Sequence, residues 1–416
     1  YRLCYEAKHY ILIMASTSSS LLRRQVIQRL PTSASQTLRP LAGVSEYQSL
    51  RNACQHQVRL VTSYNSPSLE KSQRRRLAVA SKGTRHRVGL RPATPTAFYP
   101  AQMRQFSAAH PAENTATPNA SVQPIIHDVF EEKTGTWQYV VADPNTLTAT
   151  VIDSVLDYDP LARTISTHSA DKILSLIERM GYRVDSILET HIHADHLTAA
   201  RYLQTSLHKE QGYLPLITVG KRIVHIQELF RQKYGLSEEE TRGVFDRFLD
   251  DVERFHIGSL EAQAIHLPGH TPDHMGFKIG DNIFCGDSVF HADIGSARCD
   301  FPGGSAEDLY TSARKLLSFP DHVKIWTGHD YPSQSRSEPV PYLSVGGHRA
   351  QNKHLMDGYS KGEFVALRRE RDSKLAEPRL LHQSLQMNIR AGSLPKLSPS
   401  GDRMLHTPLD VKQFDM

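Results

Sequence analysis

Thr190-His191-Ile192-His193-Ala194-Asp195-His196 sets three imidazoles and a carboxylate within six positions, directly after the β-rich run 186–189. Crowding these groups is costly in desolvation unless a cation satisfies them. Neutral imidazole and carboxylate are ligands for first-row metal ions of intermediate softness. A lone histidine is more often structural or on the surface. That plain reading suits His168, His208, His225, His256, His322, His354 and His382, but not the cluster. His266, His274 and His291 lie near it in sequence and match no ligand position.

Working outward, three more β-rich runs end in metal-ligand chemistry. Run 262–267 leads into Gly269-His270-Thr271, run 282–285 into Gly286-Asp287, and run 323–326 into Gly328-His329-Asp330-Tyr331. Four strand ends sharing one edge would converge their side chains on one point. Further strands are expected at 125–130, 137–142, 148–152, 216–219 and 276–279, with a hairpin at Gly280-Asp281. Helical periodicity places Ile173, Leu174, Ile177 and Met180 on one face. Leu197, Ala200, Leu203 and Leu207 share another, with Asp195 as an N-cap. Ser237 with Glu240 reads as a capping box opening a helix that buries Val244, Phe245, Phe248 and Val252. Ser305 with Asp308 opens one more. Two groups of strands with helices between them imply a layered α/β fold containing a sheet sandwich.

The chain has 416 residues and a net charge of +5, and that charge is unevenly spread. Residues 1–106 hold 17 Lys and Arg against Glu6, Glu46 and Glu70, leaving 32 basic and 41 acidic residues in the rest. An acidic body argues against nucleic-acid binding by the folded part. No apolar run is long enough to span a membrane, and four cysteines are too few for a disulfide scaffold. The basic, Ser/Ala/Gln-rich leader, with LLRRQVIQRL at 21–30, reads as a mitochondrial targeting segment leading to the matrix. Met14 is a candidate start, and Arg104-Gln105-Phe106-Ser107 resembles a matrix-protease site. Residues 107–124 read as linker, 125–335 as the core domain and 336–416 as its C-terminal extension.

The ordered set of H-x-H-x-D-H at 191–196, Gly-His-Thr at 269–271, Gly-Asp at 286–287 and Gly-His-Asp at 328–330 resembles the metallo-β-lactamase superfamily. The implied fold is an αβ/βα four-layer sandwich with the metal at one edge of the sheets, here with a C-terminal extension. Within the superfamily the chain is most similar to the persulfide dioxygenases, over roughly residues 125–395. Carrying that likeness are GTWQYVVADP at 135–144, Ala297-Arg298-Cys299-Asp300-Phe301, Asn352, Glu363-Phe364-Val365, Pro378 and Asn388-Ile389-Arg390-Ala391-Gly392.

The resemblance implies one Fe(II) per chain held by His191, His270 and Asp287. It also implies oxidation of glutathione persulfide by O₂ to sulfite and glutathione. His193, Asp195, His196 and His329 would orient these ligands, or bind a second metal as in dinuclear relatives (two Zn or a mixed pair). Arg298 is expected to anchor a substrate carboxylate, its alternative being a structural pair with Asp300. Tyr331 could hydrogen-bond substrate near the metal, and Thr271 could contact the peptide part of glutathione. A cation beside Cys299 could make that thiol reactive, whereas Cys285 belongs to the core. The segment between Ser206 and His256 is longer than in smaller members and could form a substrate wall or a homodimer contact. The competing enzyme is a glyoxalase II-like thioester hydrolase using two metals. The Arg298–Phe301 motif and the tail weigh against it. A scaffold protein on a retained fold would have lost ligand positions, and here every one is filled.

Overall fold

The computed structural model describes residues 122–332, 336–409 and 411. The expected leader at 1–106 and residues 107–121 of the expected linker lie outside the described residues.

Two six-stranded sheets form the centre. The first runs β1 (Ile125–Glu131), β2 (Thr136–Ala142), β3 (Thr148–Ile152), β6 (Arg183–Glu189), β8 (Leu216–Gly220), β9 (Arg247–Leu249). The second runs β10 (Arg254–Ile257), β11 (Leu260–His266), β12 (Met275–Ile279), β13 (Asn282–Phe284), β14 (Lys324–Trp326), β15 (Tyr342–Ser344). A small sheet joins β5 (Thr164–Ser166), β4 (Val155–Asp159) and β7 (Leu197–Thr198). The β1–β3 meander is antiparallel, and β3, β6, β8 and β9 pair parallel through helical crossovers. In the second sheet only β13–β14 is parallel.

Strand β2 shows why the sheets stack. All seven of its residues are buried, and the twofold periodicity of a strand divides them between two faces. Trp137, Tyr139 and Val141 meet Phe255, Phe277 and Phe284 of the other sheet. Val140 and Ala142 face the helical layer instead. That layer comprises α1 (His168–Met180), α2 (Ala200–Gln211), α3 (Ile223–Tyr234) and α7 (Leu381–Asn388). On the far side, α4 (Ala306–Leu316), α5 (Val345–Gln351) and α6 (Lys361–Asp372) cover the second sheet through Leu309, Ala313, Val345 and Phe364. The four layers are those expected. Strand β15 lies beyond residue 335, so the second sheet already includes part of the C-terminal extension.

Two local expectations fail. The Ser237–Glu240 capping box forms, but it closes only a 3₁₀ turn, Glu238–Glu240. Gly243, at φ +66, ends any helical continuation, and the chain turns into β9 to pair with β8. Phe245 is buried, but Phe248 and Val252 are 42% and 62% exposed. Their helical spacing was an accident of a strand and a turn. Asp195 caps no helix either: α2 begins at Ala200 after Ala199, with the short strand β7 intervening. Ser305 does cap α4, accepting from the Asp308 N–H at 3.1 Å.

These differences are measurable. Phe277→Ala, in the dry layer between sheets, should cost about 3–5 kcal/mol in denaturant unfolding. Phe248→Ala should cost under about 1 kcal/mol. The reverse order would mean that segment 237–252 buries its apolar face as a helix after all.

Candidate metal centre

The four ligand-bearing strand ends do converge. The histidine-rich loop leaves β6, Gly269-His270 leaves β11, Gly286-Asp287 leaves β13 and Gly328-His329 leaves β14. The Asp287 Oδ2 atom lies 3.9 Å from His191 Nε2, 3.7 Å from His270 Nε2 and 3.4 Å from His329 Nε2. Asp195 Oδ2 lies 3.2 Å from His329 Nε2. Four groups each gather three ligand atoms within 4.8 Å among the described residues: His191/His270/Asp287 and Asp195/Asp287/His329, which share Asp287, together with His193/Asp195/His196 and Asp153/Glu189/His193.

Buried polar atoms are normally paired. Here His191 Nε2, both ring nitrogens of His193, His196 Nε2 and Asp287 Oδ1 are buried without a hydrogen-bond partner among the described residues. Nitrogen lone pairs and a carboxylate facing one another across such distances fit a cation. The two glycines before Asp287 and His329 are spatial necessities. A Cβ on Gly328 would lie 2.4 Å from Asp287 Oδ1, and one on Gly286 would lie 2.5 Å from Thr190 Oγ1.

The tautomers of two histidines follow from their other ring nitrogens. Thr190 Oγ1 donates to Asp153 Oδ2 at 2.8 Å, so it accepts from His191 Nδ1 at 2.9 Å. His270 Nδ1 donates to the Arg298 carbonyl at 2.8 Å. Each arrangement leaves Nε2 as a free lone pair. Burial, reinforced by neighbouring imidazoles, holds His191 well below its ordinary pKa and therefore neutral.

His193 behaves differently. Its Nε2 sits 3.3 Å from Asp153 Oδ1 and 3.2 Å from Glu189 Oε2, all three side chains being buried. Burial alone would lower its pKa, but the two carboxylates outweigh it and push it well above the ordinary value. Asp153, despite burial, is lowered by His193 and by its bonds to Thr190. His193 therefore faces a buried acid pair beneath the loop.

Other side chains hold the loop in place. Asp273 Oδ2 accepts from the Ile192 N–H at 2.9 Å. Asn388, on α7, donates to the carbonyls of His193 and His196 and accepts from the Thr198 N–H, each at 2.8 Å. An irregular buried loop needs such partners, because no sheet ladder satisfies its backbone. His274 stacks on His191 with ring centroids 4.6 Å apart and accepts from the Asp287 N–H at 2.9 Å.

A cavity of about 420 Å³ opens above the centre, with Asp195, His270, Asp287 and His329 on its floor. Tyr331 lines it, its ring stacked on that of His329 at 5.8 Å. Arg298 lines it too, but Asp300 occupies its fork, with Nε 2.6 Å from Oδ1 and Nη2 2.5 Å from Oδ2. Thr271 is wholly buried and does not line the cavity. Cys299 is also buried, and burial raises its pKa to about 12 in spite of nearby Arg368. Burial outweighs that cation, in line with the reading, favoured over activation, that Cys299 is simply adjacent to the site.

Asp153, Glu189, Asp273, His274 and Asn388 had no assigned role in the sequence reading. Asp153 carried a usable signal, since it follows β3 as each ligand follows its own strand. It also holds a non-glycine φ of +51, a strained value typical of functional positions.

The family model described as the metallo-beta-lactamase superfamily matches residues 133–329. Glyoxylase B2 of Dictyostelium discoideum is 40% identical over 289 residues, covering 68% of this chain and 96% of that protein. Mitochondrial persulfide dioxygenase ETHE1 of Bos taurus is 27% identical over 271 residues, covering 64% of this chain and 89% of that one. The crystal structure of ETHE1 from Myxococcus xanthus superposes with a TM-score of 0.50 at 23% identity, over 65% of this chain and 100% of that chain. That last likeness is one of fold.

Two measurements test this geometry. Asn388→Ala removes three buried hydrogen bonds and should cost on the order of 3 kcal/mol. It should also weaken metal binding roughly tenfold or more in a chelator competition. Unchanged values would mean the loop is held without α7. With thiol pKa values near 12, Cys285 and Cys299 should resist iodoacetamide at pH 8 in the folded protein and react after unfolding. Rapid labelling of native Cys299 would overturn its buried assignment.

Proposed function

The chain belongs to the metallo-β-lactamase superfamily, and from that footing we propose that it is a non-haem iron persulfide dioxygenase. It oxidises glutathione persulfide with O₂ to sulfite and glutathione, using one Fe(II) held by His191, His270 and Asp287. The observation that carries this reading is the engagement of His193 by Asp153 and Glu189. It draws His193 toward those acids, although His193 also groups with Asp195 and His196, and the His191, His270 and Asp287 group has the donor set of iron oxygenases with open positions. The 27% identical relative named persulfide dioxygenase supports it.

An iron held by His191, His270 and Asp287 would supply the redox chemistry between a persulfide sulfur and O₂. The chain supplies the rest. Thr190 and the Arg298 carbonyl fix the two imidazoles. Phe290 and Ile294 give the cavity an apolar wall that excludes water from the reacting sulfur. Burial would depress His329, but Asp287 and Asp195 outweigh it and raise its pKa. Its Nδ1 donates to the Gly135 carbonyl at 3.2 Å, which turns Nε2 toward the two carboxylates. The basic leader and the mitochondrial relative support action in the matrix.

A second reading, a glyoxalase II-like thioester hydrolase with two metals, is favoured by one specific pair of observations. Asp195 and His329 form a further three-ligand group with Asp287, and the 40% identical relative is named glyoxylase B2.

Oxygen consumption with freshly made glutathione persulfide, read beside metal content, separates the two. Uptake should track about one iron per chain. His191→Ala and Asp287→Ala should lose both iron and uptake while staying folded. His193→Ala should keep iron, with its loss appearing mainly in thermal stability. Two metals per chain, hydrolysis of a glutathione thioester and no oxygen uptake would replace the dioxygenase by the hydrolase.

A further inference from the structure

The cavity above the metal centre is graded in chemistry. Among the described residues its only carboxylates are Asp195 and Asp287 on the floor. Above them stand Phe290, Ile294 and Leu375, and at the mouth are basic side chains. Two of these bases are already neutralised: Arg298 by Asp300 and Arg368 by Asp372. Three are not. Lys133, in the β1–β2 turn, Arg371, near the end of α6, and Arg379, between α6 and α7, have no carboxylate within 4.0 Å among the described residues. The acid that both Lys133 and Arg379 feel is Asp159, whose Oδ1 already accepts from the Leu161 and Ala162 N–H groups.

Arg371 is also aimed. Its Nη1 donates to His354 Nε2 at 3.3 Å, and His354 in turn donates from Nδ1 to Ser296 Oγ at 3.3 Å. Burial, with Arg368, Arg371 and Lys353 nearby, pushes His354 down to about 3. It is thus a neutral acceptor that orients the guanidinium without cancelling its charge, as a carboxylate there would. An oriented, uncompensated guanidinium is suited to bidentate capture of a carboxylate.

A single carboxylate needs one such partner. Three free cations from three separate chain segments suit a ligand with more than one negative group at its far end. The volume, about 420 Å³, falls in the range of small-molecule sites. We propose that Arg371, Arg379 and Lys133, rather than Arg298, hold the carboxylates of a small dicarboxylate thiol derivative whose sulfur end reaches the metal floor. The identity of the reaction rests on the dioxygenase reading, but the recognition does not.

The test separates the two. S-methylglutathione has both carboxylates and no reactive sulfur, so its binding to the full-length metal-loaded protein can be measured by calorimetry without turnover. Its dimethyl ester removes both negative charges and keeps the ammonium. The acid should bind at least about tenfold more tightly than the ester, and that advantage should shrink with added salt. Arg371→Gln and Arg379→Gln should each erase most of it, with Lys133→Gln erasing less. All three positions are exposed, so the variants should fold. In turnover with glutathione persulfide the same variants should raise KM and leave kcat largely intact. Equal binding of acid and ester, or full affinity in all three variants, would overturn the proposal. Charge-dependent binding without oxygen uptake would uphold this recognition and sink the dioxygenase. Oxygen uptake with an unaltered KM in every variant would do the reverse.

Discussion

Asp287 is the group on which the rest depends. It is a buried carboxylate facing three imidazole nitrogens at 3.4–3.9 Å, with one oxygen left without a partner. A carboxylate in that position is tolerable only if a cation compensates it. The surrounding architecture serves to hold that arrangement. Both sheets send strand ends to it, glycines at 286 and 328 clear space for it, and His274 binds its backbone N–H.

The support reaches well beyond the ligands. The Arg298 carbonyl orients His270, and the following residue, Cys299, donates its N–H to Asp372 of α6 at 2.9 Å. Arg368 on the same helix pairs with Asp372. Asn388 of α7 clamps the histidine-rich loop from the opposite helical layer. Helices from the C-terminal extension thus brace the metal centre from both sides of the sandwich, and the extension is integral to the site. On the third side Asp330, just after His329, accepts from both terminal nitrogens of Arg336.

His193 illustrates how a shared motif can be put to different uses. The same loop that carries His191 into the centre places His193 against Asp153 and Glu189. Those two acids come from the ends of neighbouring strands, β3 and β6. Whether an imidazole at this position serves a metal or an internal ion pair depends on carboxylates that the histidine motif itself does not contain.

Much was legible in the sequence. Local order determined the alternation of strands and helices, because periodicity of two or of 3.6 is written in successive residues: β2, α1 and α4 read correctly. The residues that converge at the candidate centre were legible too, since a crowded set of imidazoles after a strand has little other physical use. Segment 237–252 was misread because its apolar spacing fits a helix, whereas Gly243 and the free edge of β8 made a turn and a strand. What tertiary structure alone decided was pairing at long range. Arg298 could have met a substrate or Asp300; it met Asp300. His354 could have been a structural or a surface histidine; it is 3% exposed, bonded to Arg371 across 17 positions. A side chain's neighbours across the fold, and hence its charge, its freedom and its role, follow from which strand ends share an edge, and spacing along the chain carries no record of that.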